Sequence, residues 1–572
     1  MKALASFILT RSPGYCLLCF ATFLFLAGSA FAAPVHIPNI GQALQEAETA
    51  RPREAPRRQQ VPEILEQEQQ PMTLPSGETL FVRQFVLVGA EYINQTDLLA
   101  VLAPYTGRDL TLAQIEEAAG KVTALYRERG YLVARTYIPR QDASSGKLTL
   151  QVVVGKYGEI GLQNNSHVRD FLLRRVLDNL KDYDAVRQRD IERNMLIVAD
   201  MPGAQMPQMS IAPGQAPGTS DFVMDVPAEN RFGGYLLSDN YGSRYTGRWR
   251  FSGGLDVNSP LGIADKLSLY GMTSEDKGLL NFGMGYSLPL AANGLRLDFG
   301  ISRTTYELGD DFRSLDATGK ADTIEAGLSY PIIRSRDQNL YITLNGAAKR
   351  LRDEIEVFDE VYKKRMYMGT LGLKHEAWGS LFDRNLFTRI SGGISYGHLG
   401  IPDEEQERMN ERGADTVGNF AYLTLGLSAN YALSELFSLN IGASLQKALG
   451  HKNLDGSEQF SITGPNGVKA YREVVSGDNG YLLNAELRFL LPAFEGLTHS
   501  IGVFGDTGRW EFEKSGYATK KSDYLSDIGV GYYASYKWFM MNLQLAHAVG
   551  PYPEELRYEG RTHLLAQFSL LF

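Results

Sequence analysis

The chain has 572 residues, too many for one ordinary soluble core, and a formal charge of −9 that gives no reason to expect a nucleic-acid partner. Mean hydropathy is −0.21, which looks soluble. A membrane barrel is half polar by construction, however, so that value does not exclude a membrane. The 30 Tyr and 58 Gly suit strands with aromatic girdles and tight turns.

The N-terminus carries Lys2 and Arg11, an apolar run from Tyr15 to Gly28, then Ala30-Phe31-Ala32. This reads as a secretory signal peptide, residues 1–32, cut after Ala32; the competing reading is a single membrane anchor. Cys16 and Cys19 are the only cysteines, and they leave with it. Their surroundings lack the small residues of a lipid-attachment box. The mature chain is therefore expected to have no disulfide and no thiolate metal site, and no other metal site is expected. No later stretch reaches about 18 consecutive apolar residues, so no spanning helix is expected, but a closed barrel remains open to it.

Residues 33–50 contain one amphipathic piece, Ile40 to Ala47. Residues 51–79 are rich in Pro, Gln, Glu and Arg, which cannot bury a core and read as a linker. Residues 80–155 form a compact unit. Phe81 to Val88 is strand-like, and Thr96 is expected to cap a helix through Tyr105; Asn94-Gln95-Thr96 reads as part of that cap and not as a glycosylation site. Thr111-Leu112-Ala113-Gln114 is a capping box for a helix that ends at Gly130. Ile115, Ala118, Ala119, Val122, Leu125 and Tyr126 fall at helical spacing. Tyr131 to Pro139 and Leu148 to Val154 are strands. Residues 156–228 repeat the order β-α-α-β-β, with helices at Val168–Leu180 and Val186–Ala199 and a Pro213–Gly218 hairpin.

From residue 229 to 572 the period becomes 2. Phe251, Leu255 and Val257 alternate with Arg250, Ser252 and Asp256; Leu297 and Phe299 alternate with Arg296 and Asp298; Leu425 and Leu427 alternate with Thr424 and Ser428. A soluble core would not take the charged sets unpaired, whereas a water-filled lumen would. Trp249, Phe251, Leu295, Phe299, Leu425 and Phe568 are expected to face lipid, and Arg250, Asp298, Glu486 and Arg488 the lumen. About sixteen such segments fit the length. Short links near residues 259–264, 291–294, 432–434 and 492–498 alternate with longer polar ones near 308–321, 401–418, 451–479 and 510–522, as short inner turns and long outer loops do. The acidic runs Asp353–Glu360 and Asp403–Glu411 read as solvated loop faces.

The sixth long link contains Val468-Lys469-Ala470-Tyr471, and a later strand reads Phe504-Gly505-Asp506-Thr507-Gly508. With the two β-α-α-β-β units and Arg129-Gly130-Tyr131 at a helix end, this resembles the two-partner secretion transporters of the POTRA-barrel superfamily (TpsB type; haemolysin secretion/activation). The stretch Asp239 to Gly247 is similar to the family's barrel entrance. Leu564, Ala566, Phe568, Leu570 and Phe572 resemble its C-terminal assembly signal. The resemblance implies α+β POTRA domains in the periplasm, at residues 80–155 and 156–228, then a 16-stranded antiparallel transmembrane β-barrel in a bacterial cell outer membrane. It also implies an N-terminal plug helix at 33–50, against which a disordered tail remains the alternative. The implied partners are a secreted exoprotein (adhesin, cytolysin, contact toxin or haem-capture protein), outer-membrane lipid and the barrel assembly machinery. The family loop has Val-Arg-Gly-Tyr or Val-Arg-Gly-Phe, and its Arg folds inward onto the Asp of Phe-x-Asp-x-Gly. Here Lys469 and Ala470 depart from it. A lysine is a point charge without the guanidinium fork, and Ala470 loses a glycine's access to positive φ. A weaker latch and an exposed, unpaired Lys469 are the two readings.

No enzyme, cofactor or catalytic residue is expected. Gly393-Ile394-Ser395-Tyr396-Gly397 has the nucleophile-elbow pattern but lies inside an alternating strand. The eight His are scattered, and no phosphate loop appears. The main alternative function is a POTRA-barrel insertase for outer-membrane proteins; a passive porin would lack the soluble pair.

Overall fold

The computed structural model describes residues 37–49, 64–66 (backbone only), 79–518, 520–550, 552–553 and 560–572. The expected signal peptide lies outside them. Helix α1, Ile40–Thr49, comes first. Strand β1, Ile64–Glu66, runs parallel to a later strand, opposite Met209–Ile211. The expected linker therefore contributes a strand, which three residues in a polar stretch do not signal.

The first soluble unit holds β2 (Thr79–Val82), β3 (Gln84–Val88), α2 (Gln95–Leu102), β4 (Arg108–Thr111), α3 (Leu112–Glu128), β5 (Arg135–Tyr137) and β6 (Lys147–Val153). The single strand expected over Phe81–Val88 is broken at Arg83, and its halves join different sheets: β2 pairs with β4, β3 with β6. Helix α2 starts at Gln95, not after Thr96, and Asn94 caps it without a side-chain hydrogen bond. The capping box of α3 is present, with Gln114 N donating to Thr111 Oγ1 (3.3 Å) and Thr111 N to Gln114 Oε1 (2.9 Å). Gly130 follows α3 at φ 88°, a conformation that costs glycine little. Ile115, Ala118, Ala119, Val122 and Tyr126 face the core with Leu98, Leu110, Leu148 and Leu150.

The second unit holds β7 (Lys156–Asn164), α4 (Asp170–Lys181), α5 (Gln188–Ala199), β8 (Gln208–Pro213) and β9 (Thr219–Val226), with sheet order β1-β8-β9-β7. Arg187 locks the two units. Its guanidinium lies 5.5 Å from the ring centres of both Tyr92 and Tyr131, and Gln188 N donates to Gly130 O at 2.9 Å.

Sixteen strands close into one antiparallel barrel. They are β10 (Phe232–Asp239), β11 (Arg250–Asn258), β12 (Lys266–Ser274), β13 (Leu279–Pro289), β14 (Arg296–Glu307), β15 (Ala317–Arg334), β16 (Gln338–Ile355), β17 (Glu360–Leu381) and β18 (Arg384–Gly400). Helix α6, Glu404–Arg412, sits in the next loop as an exposed acidic turn. Then come β19 (Gly418–Ala432), β20 (Phe437–Leu449), a small hairpin β21 and β22 (Phe460–Ser461, Ser476–Gly477) outside the barrel ladder, β23 (Asn479–Leu490), β24 (Leu497–Glu511), β25 (Ser522–Tyr536), β26 (Phe539–Val549) and β27 (Thr562–Leu571). Strand β27 returns to β10, Leu571 opposite Tyr235, and Phe572 exchanges both backbone bonds with Gly234 (2.8 and 3.0 Å). Closure leaves no unpaired edge, which is the condition for crossing a bilayer with strands.

The wall alternates. Phe251, Phe299 and Leu425 are exposed on the outside, while Arg250 is buried inside. Trp249 and Leu295 stand one residue before β11 and β14, not on them. Glu486 and Arg488 pair inside at 2.7 Å, with Arg488 3.8 Å over the Tyr533 ring. Ser395 lies within β18, its Oγ 2.8 Å from Thr370 Oγ1, so the nucleophile-elbow pattern is strand.

The second soluble unit docks on one barrel end. Arg334 forks onto Asp200 at 2.6 and 2.7 Å, Arg193 donates to Pro331 O at 3.0 Å, and Asn179 to Ala292 O at 3.2 Å. The long loops lie at the far end. In purified membranes, Leu425→Cys is expected to resist a membrane-impermeant maleimide while Asp298→Cys reacts. Ready labelling at position 425 would reverse the assignment of inside and outside.

Candidate functional site

The sixth far-end loop, residues 450–478, folds into the barrel. Its tip runs from Gly464 to Tyr471. Gly464 supplies a left-handed turn at φ 90°, and Gly467 passes so near Ile462 that a Cβ would lie 2.4 Å from Ile462 O. Val468 N donates to Ile462 O at 2.8 Å and Gly464 N to Tyr471 O at 3.0 Å, so the tip closes on itself. Val468, Ala470 and Tyr471 are buried among Phe504, Leu482, Trp510 and Leu525 of the wall. Tyr471 stacks on Tyr552, ring centres 5.3 Å apart.

Lys469 points inward, 9% exposed, and its Nζ stands 2.7 Å from Asp506 Oδ2. It also lies 4.6 Å from the centre of the Phe504 ring. The other oxygen, Asp506 Oδ1, accepts from Asn484 Nδ2 at 2.6 Å. An arginine would present a fork to both oxygens. Here the lysine takes one and the asparagine of the neighbouring strand takes the other. Ala470 is not among the residues with positive φ, so the methyl group meets no backbone strain. Its N–H donates to Asp527 Oδ2 at 2.6 Å. Asp527, on β25 directly opposite Asp506, was absent from the sequence reading, although an acid in the inward register of the next strand was a usable signal. Phe504 packs over Gly529, where a Cβ would lie 2.3 Å from Phe504 Cζ. Gly508 makes room for the loop, a Cβ there standing 3.0 Å from the Ile462 Cβ.

The loop is held on the opposite wall too. Asp455 pairs with Lys364 at 2.6 Å, and Glu458 with Lys349 at 2.5 Å; Tyr422 OH donates to Glu458 at 2.9 Å. At its base, Asp478 accepts from Leu454 N and Glu513 N at 2.8 and 2.9 Å. Burial pushes the Asp478 carboxyl up, while the Lys447 ammonium, helped by Asn479 and His451, holds Glu513 down at about 2.

Helix α1 lies in the same lumen. Ile40, Ala43 and Ala47 pack on Met272, Leu279, Tyr306 and Leu351. Both helix ends are capped by the barrel. Ile40 N donates to Asp353 Oδ1 at 2.8 Å, putting a carboxylate on the positive end. At the other end Arg250 donates to Glu46 O (2.8 Å) and Thr49 Oγ1 (2.9 Å). Arg250 also forks onto Asp239 at 2.8 and 3.1 Å, with both side chains fully buried. Asp353 was expected on a solvated loop; it is instead a strand residue facing the lumen. The Glu46 carboxylate accepts from Ser243 N (3.0 Å) and Thr246 Oγ1 (2.9 Å), and burial pushes its carboxyl up. Glu473 of the sixth loop accepts from Arg244 N at 3.0 Å and from Ser243 Oγ. The stretch Asp239–Gly247 thereby joins helix to loop. Gln45 adds bonds of 2.8 Å to Gly456 O and to Gln459 O, and Gly41 lets the loop approach, a Cβ lying 2.5 Å from Ser457 N. Among the described residues, no group of three or more His, Cys, Asp or Glu is placed to hold a metal.

Two soluble α+β units, the second docked on a closed 16-stranded barrel whose lumen holds a loop and a helix, define a POTRA-barrel transporter of the outer membrane. The family profile described as "Haemolysin secretion/activation protein ShlB/FhaC/HecB" matches residues 218–533, and a "POTRA domain, ShlB-type" profile matches 80–155. The chain belongs to that haemolysin secretion/activation family. It is similar to the Heme/hemopexin transporter protein HuxB of Haemophilus influenzae, 26% identical over 76% of this chain and 77% of the relative. It is also similar to the outer membrane transporter CdiB of Dickeya dadantii, 25% identical over 92% and 93%. The solved CdiB from Escherichia coli shares the fold, with TM-score 0.69 and 21% identity over 88% of this chain and 93% of that one. The chain is thus a two-partner secretion transporter of the bacterial outer membrane with its POTRA region in the periplasm, and secretion is favoured over barrel assembly. The end bearing the soluble units is periplasmic and the far end faces outward.

Removing one partner of a buried ion pair costs about 3–5 kcal/mol because the other charge stays buried. Lys469→Ala and Asp506→Ala are each expected to release the loop tip and cut secretion about tenfold or more with the barrel still inserted. The double variant should be little worse than either single one. Strictly additive losses, measured as exported exoprotein, would separate the two residues.

Proposed function

We propose that this chain exports one large exoprotein that reaches the periplasm unfolded, and that the docked loop and helix are its resting closed state. This rests on one observation: α1 and the sixth loop lie in the lumen together and are pinned to opposite walls by Asp353, Arg250, Lys349, Lys364 and Asp506. In this reading residues 1–32 are a signal peptide, 33–50 a plug, 51–79 a linker, 80–155 and 156–228 two POTRA domains, and 229–572 the barrel. Lys469 with Asp506 latches the loop, and Asp527 holds the backbone of the tip beside them.

The POTRA sheets receive the cargo by strand addition, at the edges offered by β3, β5 and β7. The edge at β8 is already covered by β1. The cargo is a haem-capture protein, contact toxin, cytolysin or adhesin; the name of HuxB supports the first of these. The chain performs no catalytic step, and the folding of the cargo outside the cell supplies direction. The barrel assembly machinery reads the terminal strand ending in Phe572.

Deleting residues 80–154 tests the recognition step. This unit has its own capped helix and core, so the rest of the chain is expected to fold and insert, with the heat-modifiable migration of an intact barrel, while export of the neighbouring exoprotein is lost. Export at the normal level would show that recognition lies elsewhere.

A further inference from the structure

Four consecutive strands are the longest of the barrel, and β16 and β17 extend five residues past the end of β18 on the outer side. β15 and β16 have 18 residues each, β17 has 22 and β18 has 17, where about 9–11 suffice to span. Strands β14 to β17 carry two rungs of cations in this region. In one rung Lys320 stands opposite Arg352, and Arg352 opposite Lys363. In the next, Arg303 stands opposite Asp322, Asp322 opposite Arg350, and Arg350 opposite Arg365. The residues that alternate with them, Thr304, Ala321, Thr323, Leu351 and Met366, are buried, so the cations point outward.

One rung nearer the membrane the same outward register reads Ile301, Ile324, Ala348 and Tyr367. Ile324 is 63% exposed and Tyr367 59%. The cations therefore begin where the apolar band ends, at the depth of the outer-leaflet headgroups. Acids do not balance them. Asp322 serves Arg303 and, at 3.7 Å, Lys320, while Glu354 pairs with Arg352 at 2.6 Å. Among the described residues, no carboxylate forms an ion pair with Arg350, Lys363 or Arg365. Other outward cations near this end have a glutamate beside them, as Lys447 with Glu513 and Arg509 with Glu511. In a chain of net charge −9 this patch is a local inversion.

We propose that this face of β14–β17 binds the phosphate groups of an anionic glycolipid of the outer leaflet, with its acyl chains on the Ile301–Ile324–Tyr367 row. Guanidinium forks match phosphate oxygens, and clustered cations beside an apolar surface suit a phosphorylated lipid headgroup. Free phosphate would use the cations alone. An acidic protein segment would have no need of the apolar row.

The test uses the full-length protein purified in detergent, incubated with diphosphorylated lipid A or with the same lipid after dephosphorylation, then freed of unbound lipid by gel filtration. The variant R350Q/K363Q/R365Q is expected to retain at least about fivefold less diphosphorylated lipid A than the native chain, because each basic side chain near an anionic headgroup adds to binding. K447Q/R509Q should match the native chain, and the dephosphorylated lipid should be lost from all three. Heat-modifiable migration reports that each barrel is folded. Equal retention by the triple variant would overturn the proposal, as would equal retention of the dephosphorylated lipid. So would a triple variant that keeps lipid A but no longer holds exoprotein at the cell surface, which would assign the patch to a protein.

Discussion

The ion pair between Lys469 and Asp506 connects the tip of a long outer loop to the inner wall of the barrel, with both groups withdrawn from water. A barrel lumen is polar, so any element placed inside must satisfy the wall's charges as well as its own. Buried charges that lack partners cost several kcal/mol each. The inside of this barrel meets that requirement with elements from far along the chain. Asp506 has Lys469 and Asn484, Asp527 has the Ala470 amide, and Lys349 and Lys364 have Glu458 and Asp455.

The consequence is that helix and loop form one closure. Helix α1 receives its N-terminal carboxylate from Asp353 and its C-terminal cation from Arg250, the reverse of its own end charges. It touches the loop through Gly41 in its first turn and Gln45 in its middle. Glu46 and Glu473 both grip the Ser243 region, so displacing either element exposes groups that the other uses. A helix as short as Ile40–Thr49 is marginal alone in water. Its stability here comes from the wall that caps it.

Much of this was legible in the residues because strands have a period of two. Alternation from residue 229 onward gave sixteen segments, the inward set and the sixth loop. The lysine's inward placement came from resemblance, since nothing local to Val468–Tyr471 says which way a polar loop folds. What was illegible shares one cause: contacts between residues distant in sequence. Asp353 looked like part of an acidic loop because its partners are Ile40 and Tyr306. Arg250 was placed in the lumen by its register, but its helix-capping role depends on Glu46 and Thr49. The break at Arg83 and the strand at Arg108–Thr111 are short, polar and set by sheet pairing. The Asn484 donor explains how a lysine fills an arginine's place, and it lies on a strand that the loop motif does not include.

Disulfide trapping can report whether the loop is docked inside the barrel in the membrane. The only native cysteines are Cys16 and Cys19. The Ala470 amide lies 2.6 Å from the Asp527 carboxylate, which is compatible with the roughly 5–6 Å Cα separation of a disulfide. With Ala470→Cys and Asp527→Cys in one chain, oxidation of intact outer membranes is predicted to form the bond in most molecules, read as a mobility shift reversed by reductant. Failure to form it, with the introduced loop thiol instead labelled by an impermeant reagent from outside the cell, would place the loop outside the barrel.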